Sequence, residues 1–142
     1  LEVISKSIQE HEPNEDLFEF IYHSLCHLDE QEELNPDYHL LFMVNLARHL
    51  GFAPHENYTD TNCFFEMSEG FFTSKPSTFN TMNKEESNLL RQLLNANMFA
   101  SKAFKILRTE RKKMLQNLIK YYQLHLENFN LRSPEILEVI LE

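Results

Sequence analysis

Apolar residues recur at three- and four-residue spacing through most of this chain, and that period predicts helices. After Pro13-Asn14, the stretch EDLFEFIYHSLCHLDE keeps Leu17, Phe18, Ile21, Leu25 and Leu28 in phase. Asn35-Pro36 reads as an N-cap followed by proline at the first helical position, opening PDYHLLFMVNLARHL, with Gly51 as its terminator. Asn83-Lys84-Glu85-Glu86 has capping-box chemistry and opens EESNLLRQLLNAN. A shorter helical piece, MFASKAFKIL, is expected next. A long helix follows from about Thr109 to Leu126, burying Met114, Leu115, Leu118, Tyr122 and Leu126. The chain breaks at Asn128–Arg132 and restarts at Ser133-Pro134 as PEILEVILE. Its opening residues, LEVISKSI, resemble the middle or end of another amphipathic helix, and there is no initiator Met.

One region departs from the helical period. Residues 52–82 hold three Pro or Gly residues, and two short apolar runs flank Ser68-Glu69-Gly70, the pattern of a small β-hairpin. A connection of that length is usually functional or a small subdomain. The fold expected is all-α: a bundle of about six helices forming one domain over residues 1–142, with a hairpin-like inserted loop at about 52–82. The opening without Met, inside a helical pattern, adds the expectation of a fragment whose N-terminal portion is missing.

Composition supports a packed globule, with 42% hydrophobic residues and twelve Phe. Only two Gly and five Pro disfavour a turn-rich β fold. Two cysteines, Cys26 and Cys63, make neither a disulfide framework nor a zinc site and fit a reducing cytoplasm. No run of eighteen apolar residues and no signal peptide is present.

Charge changes the picture more. The net charge of −9 argues against a general nucleic-acid coat. Yet residues 102–120 carry seven Lys/Arg against the single acid Glu110, a local +6, while eleven acids lie in residues 1–37. The asymmetry suggests one face made for an anionic partner. Lys105, Arg108 and Lys112 fall at i, i+3, i+7 and are expected to share a face, with Arg111 and Lys113 completing the anion-contacting set. The bland alternative is a solvated helix face balanced by the acidic N-terminal helices.

Other chemistry is weaker. His23 and His27 stand one turn apart, a spacing that can bind metal, but no third ligand accompanies them, so they read as surface histidines. Cys63 lacks the setting that activates a thiolate. Two glycines cannot build a phosphate loop, and paired carboxylates occur only in solvated runs such as Glu30–Glu33. The sequence offers no active site. Phe64, Phe65, Phe71 and Phe72 are better suited to fastening the loop to the core than to stacking bases.

The C-terminal pattern now carries a resemblance. Leu118-Ile119-x-Tyr121-Tyr122-x-x-His125-Leu126 behind an Arg-led basic helix, then Arg132-Ser133 and Leu137, resembles the C-terminal domain of the bacterial RecO recombination-mediator family. Collinear with it are Pro13-Asn14-x-x-Leu17-Phe18, the run Phe42 through Leu46-Ala47-Arg48-x-x-Gly51-Phe52-x-Pro54, and Phe65-Glu66 with Glu69-Gly70. The likeness covers about residues 12–141.

The resemblance implies an N-terminal oligonucleotide-binding barrel preceding Leu1, and a protein that is not an energy-coupled enzyme. It implies contacts with single- and double-stranded DNA, RecR and the acidic, Phe-terminated tail of the single-stranded-DNA-binding protein SSB. Those contacts serve loading of RecA in the bacterial cytoplasm, at the nucleoid. Many family members hold zinc through four cysteines in the inserted loop. Here that loop contains only Cys63, so no zinc and no other cofactor is expected, and the four Phe residues would do the fastening. The reading is a non-enzymatic DNA repair and recombination mediator domain. Its rivals are a regulatory helical bundle that binds an acidic partner without DNA and, more remotely, a metal hydrolase built on His23 and His27.

Overall fold

A computed structural model describes residues 15–31, 35–77, 79–99, 104 and 106–126. Helix α1 spans Glu15–Glu30, α2 Tyr38–Leu50, α3 Lys84–Asn95 and α4 Arg108–His125; strands β1, Phe64–Glu66, and β2, Phe71–Thr73, lie between α2 and α3. The fold is therefore not the all-α bundle of about six helices that the sequence suggests. Among the described residues it is mainly helical, with four helices and a two-stranded antiparallel sheet. The helices expected over residues 1–8 and 134–142 lie outside the described residues.

The short helix expected at MFASKAFKIL is replaced, where that segment is described, by a turn at Met98-Phe99 and non-helical backbone at Phe104, Ile106 and Leu107. The reason lies in a distant carboxylate. Asp37, fully buried, accepts the Phe104 N–H at 2.6 Å and the Arg111 Nε at 2.6 Å. A backbone donor committed to a side chain 67 residues away is not available to a helical ladder.

Helix boundaries follow local chemistry. The Asn83–Glu86 capping box is formed reciprocally: Glu86 N–H donates to Asn83 Oδ1 at 2.8 Å and Asn83 N–H to Glu86 Oε1 at 3.0 Å. Gly51 ends α2 in the left-handed region at φ 93°, its N–H reaching the Ala47 carbonyl. Asn35 does not cap α2 directly. Its side chain accepts the Asp37 N–H at 2.9 Å in a turn, and the helix begins two residues later than Pro36 suggests.

Helix α2 is the centre of the domain, packed against α1, α3 and α4. Leu40, Leu41, Val44, Leu46 and Ala47 are at most 1% exposed. The stripe anticipated on α4, Met114, Leu115, Leu118, Tyr122 and Leu126, is buried as expected. On α1 only Leu17, Ile21 and Ser24 are buried, with Leu28 packed at the edge. Phe18 and Leu25, assigned to its core stripe by sequence, face outward at 49% and 38% exposure.

Sequence places the hairpin correctly. Phe65 pairs with Phe72 across the strands, and their rings meet at 5.0 Å. Both are buried, whereas Phe64 is half-buried and Phe71 is turned out, so two of the four Phe residues fasten the loop, not all. Neighbouring segments satisfy the short strands' edges. Met82 N–H donates to the Phe65 carbonyl at 2.9 Å, and Phe65 N–H to Ser87 Oγ at 2.8 Å. Asn57 pairs by its amide with both backbone groups of Phe72, at 2.8 and 2.9 Å.

Removing one partner of the Asp37–Arg111 pair strands a charge in the core. Arg111→Met is expected to destabilise the domain by about 3–5 kcal/mol, and the double change with Asp37→Asn to cost less than the two single changes summed. Urea unfolding of the three variants checks both, and additive losses would show that the pair is not coupled.

Candidate functional site

The basic segment resolves into groups with different fates. Arg111 is spent on Asp37; its side chain is 13% exposed. It is a structural cation and leaves the anion-contacting set. Lys105 lies outside the described residues, and the backbone at Ile106 and Leu107 is not helical, so no single helix face runs from Lys105 to Lys112. Arg108 is the first residue of α4 and is exposed there, with Lys112 and Lys113.

With seven buried side chains on one side of α4, its solvent side can be drawn from the helical repeat. Lys112, Gln123, Gln116, Thr109, Lys120 and Lys113 sweep an arc of about 100°, given about 100° per residue. None of the six is acidic. The lone acid of the segment, Glu110, lies beyond that arc, where its carboxylate accepts the Leu107 N–H at 3.4 Å. Lys113 stands at the margin, lining a groove with Glu85, Glu86 and Glu110 between the N-termini of α3 and α4. The cationic face is thus strongest at Lys112 and Lys120, the second of which sequence reasoning counted in the local charge but left out of the site.

Lys120 also reaches out of its helix. Its Nζ donates to the Phe79 carbonyl at 2.8 Å, tying α4 to the loop between β2 and α3. That loop is held from inside by Glu66, whose Oε2 accepts Ser77 Oγ at 2.8 Å and Thr81 Oγ1 at 2.7 Å. The other carboxylate oxygen takes the Ser68 hydroxyl and backbone N–H. Burial pushes the Glu66 carboxyl up, but the hydroxyls of Ser68, Thr81 and Ser77 and the Ser68 N–H outweigh it, and the group rests below the usual glutamate value.

Helix α4 grips α2, the residue after Gly51 and the hairpin turn through Tyr122, Tyr121 and His125. Tyr122 Oη donates to the Met43 carbonyl at 2.5 Å, Tyr121 Oη donates to the Phe52 carbonyl, and His125 Nε2 meets the Met67 carbonyl at 2.8 Å. The His125 ring stacks on Phe52 at 5.7 Å. Burial pushes the Tyr121 hydroxyl far up, and burial with the neighbouring Tyr121 does the same to Tyr122, so both remain donors. Gly70 is required here: its φ is +77°, and a Cβ would come within 3.3 Å of the Tyr121 hydroxyl.

A second hollow, of about 260 Å³, is lined by Glu56, Tyr58, Phe72, Arg91, Leu94 and Asn95. Arg91 stacks over Tyr58 at 4.9 Å. Arg48 sits nearby, pairing with Glu56 at 3.0 Å and donating to the Leu94 carbonyl at 2.5 Å, near the end of α3. Arg132 is outside the described residues.

The histidine pair has other partners. His27 lies beside Gln31 at 2.8 Å and between the rings of Tyr38 and Phe99. His23 packs edge-on to Tyr22. Among the described residues no group of three or more His, Cys, Asp or Glu converges as a metal site. Loop 52–82 holds a single cysteine, Cys63, which is buried and free. No described helix is long and apolar enough to cross a membrane.

Together these features define a helix-rich domain with a clamped hairpin and a cationic arc along α4. The family described as Recombination protein O C terminal matches residues 1–135, and the chain belongs to that family. It is 34% identical over 141 residues to the DNA repair protein RecO of Flavobacterium psychrophilum. Against the proteins of the same description from Flavobacterium johnsoniae and Christiangramia forsetii the identities are 35% and 33%. Each match covers 99% of this chain and 57% of the relative, so the chain spans a little over half the length of these curated relatives. No solved structure matches the chain significantly.

The buried Glu66 predicts a sign for the pH dependence. Its folded value is depressed, so its stabilising share is whole above the unfolded glutamate value and is lost as pH falls through the folded one. Glu66→Gln is expected to cost about 2 kcal/mol at neutral pH, the scale of hydrogen bonds to a charged group. Denaturation midpoints of the two proteins should converge in acid; a gap independent of pH would contradict the charged network.

Proposed function

We propose that this chain is the helical domain of a DNA repair and recombination mediator that acts by binding, without catalysis. In this reading it works in the bacterial cytoplasm, at the nucleoid. It contributes contacts to DNA, RecR and the SSB tail while RecA is loaded on SSB-coated single strands. The observation that carries the reading is the acid-free cationic arc of α4, found in a chain of this family. Lysines interleaved with glutamine and threonine along one arc of a helix offer donors to successive phosphates. Lys112 and Lys120 are about 12 Å apart along the helix axis at 1.5 Å per residue, a ridge suited to a strand and not to one point charge.

The SSB tail is assigned to a different place. Its carboxylates and terminal aromatic residue match the hollow where Arg91 stands beside Tyr58 and Phe72, with Arg48 bound to Glu56 at its edge. No resident zinc belongs to this reading, and stoichiometric zinc in metal analysis of the purified protein would overturn that part of it. The rival without DNA binding differs in what the α4 ridge does.

Fluorescence anisotropy separates the two readings. Lys112→Ala with Lys120→Ala is expected to weaken DNA binding about tenfold or more and to lower the log–log salt slope by about 2, one per lost phosphate contact. SSB-tail peptide binding should survive that change and fall with Arg91→Ala. DNA affinity that is unmoved by the double change would assign the ridge to solvent.

A further inference from the structure

The most exposed large hydrophobic side chain among the described residues is Phe79, at 83%. Single exposed apolar residues are common and by themselves mean little. Phe79 differs in its mounting. Lys120 holds its carbonyl from α4, and two residues on either side Ser77 and Thr81 are both fixed on the Glu66 carboxylate. Ser77 is further bound to Thr81 through its N–H at 2.9 Å and its hydroxyl at 2.8 Å. The loop is braced on both sides while the ring meets solvent. A pre-ordered aromatic loses little conformational entropy on meeting a ligand.

The cation that braces it belongs to the acid-free arc. An ammonium has three donors, so Lys120 can keep the Phe79 carbonyl and still meet a phosphate oxygen. A planar ring beside a phosphate-binding lysine matches one ligand chemistry well: a flexible nucleic-acid strand whose bases are unpaired. In a duplex the base faces are occupied by their neighbours, and only the phosphates remain for the arc.

We propose that Phe79 is a base-stacking platform that gives the α4 ridge its preference for single-stranded DNA. The inference rests on the reading of that ridge as a phosphate contact. It assigns the lysines to phosphate and Phe79 to the base.

The chain contains no tryptophan, so Phe79→Trp installs a single fluorescent reporter at the platform. Its emission is followed against an oligothymidylate, an abasic strand of equal length and a duplex, with anisotropy of the labelled strands read in parallel. The expected result is quenching by oligothymidylate alone, although anisotropy reports binding of all three. Phe79→Ala is expected to weaken single-strand binding about tenfold, the range of one base–aromatic stack, and to leave the duplex unchanged. Equal quenching by the abasic strand, or saturable binding without quenching, would overturn the platform and leave the phosphate ridge standing. Absence of binding to any of the three would remove the ridge and the platform together.

Discussion

The structure depends most on how α4 is held, because it is both a wall of the core and the carrier of the exposed charge. Four of its polar contacts hold it to the α2 segment and the hairpin turn. Arg111 meets buried Asp37 at 2.6 Å, and Tyr122 donates to Met43 on the central helix. Tyr121 donates to the Phe52 carbonyl, and His125 Nε2 donates to the Met67 carbonyl in the hairpin turn. Each satisfies a group that burial would otherwise penalise, so breaking one costs more than the bond itself contributes. The same contacts set which face of α4 looks outward. A helix turned by one residue would rotate by about 100° and bury the lysines it now exposes.

This arrangement explains the clustering of charge better than a count does. Seven cations in residues 102–120 look like one surface, but those described divide between interior and exterior. Arg111 neutralises a buried carboxylate at the start of α2 that also holds the backbone approaching α4. Lys112 and Lys120 stay outside. Guanidinium suits the first task through its planar donors and weak hydration, and ammonium suits the second. Lys120 joins surface to interior by bracing the loop around Phe79.

Much of the fold was legible because its signals are local. Gly51, the Asn83–Glu86 box and Ser68-Glu69-Gly70 are each settled within a few residues, and each holds. What the sequence hid is long-range. Nothing in MFASKAFKIL announces that the Phe104 N–H will be taken by a residue 67 positions earlier. Nothing near Arg111 reveals a partner 74 positions away. Phe18 and Leu25 fit a helical period but lie on the wrong side of α1, since Ser24 takes a core position by bonding its hydroxyl to the Phe20 carbonyl at 2.7 Å. A period marks spacing, not which of two apolar stripes turns inward.

The candidate site shows the same division. The charge asymmetry points to α4, but only burial shows that Arg111 of that set is turned inward while Arg108, Lys112 and Lys113 are exposed. The signature Tyr121-Tyr122-x-x-His125 was read as a mark of family, and its physical content is now visible. Tyrosines at adjacent positions point to neighbouring sectors of the helix, one toward α2 and one toward the Phe52 carbonyl, with His125 one turn from Tyr121. Gly70 completes the motif from the far side, since any side chain there would meet the Tyr121 hydroxyl. A tyrosine–histidine clamp and a paired Phe65–Phe72 core anchor the hairpin. The clamp is built from the buried side of α4, and from the exposed side Lys120 adds a brace to the loop around Phe79.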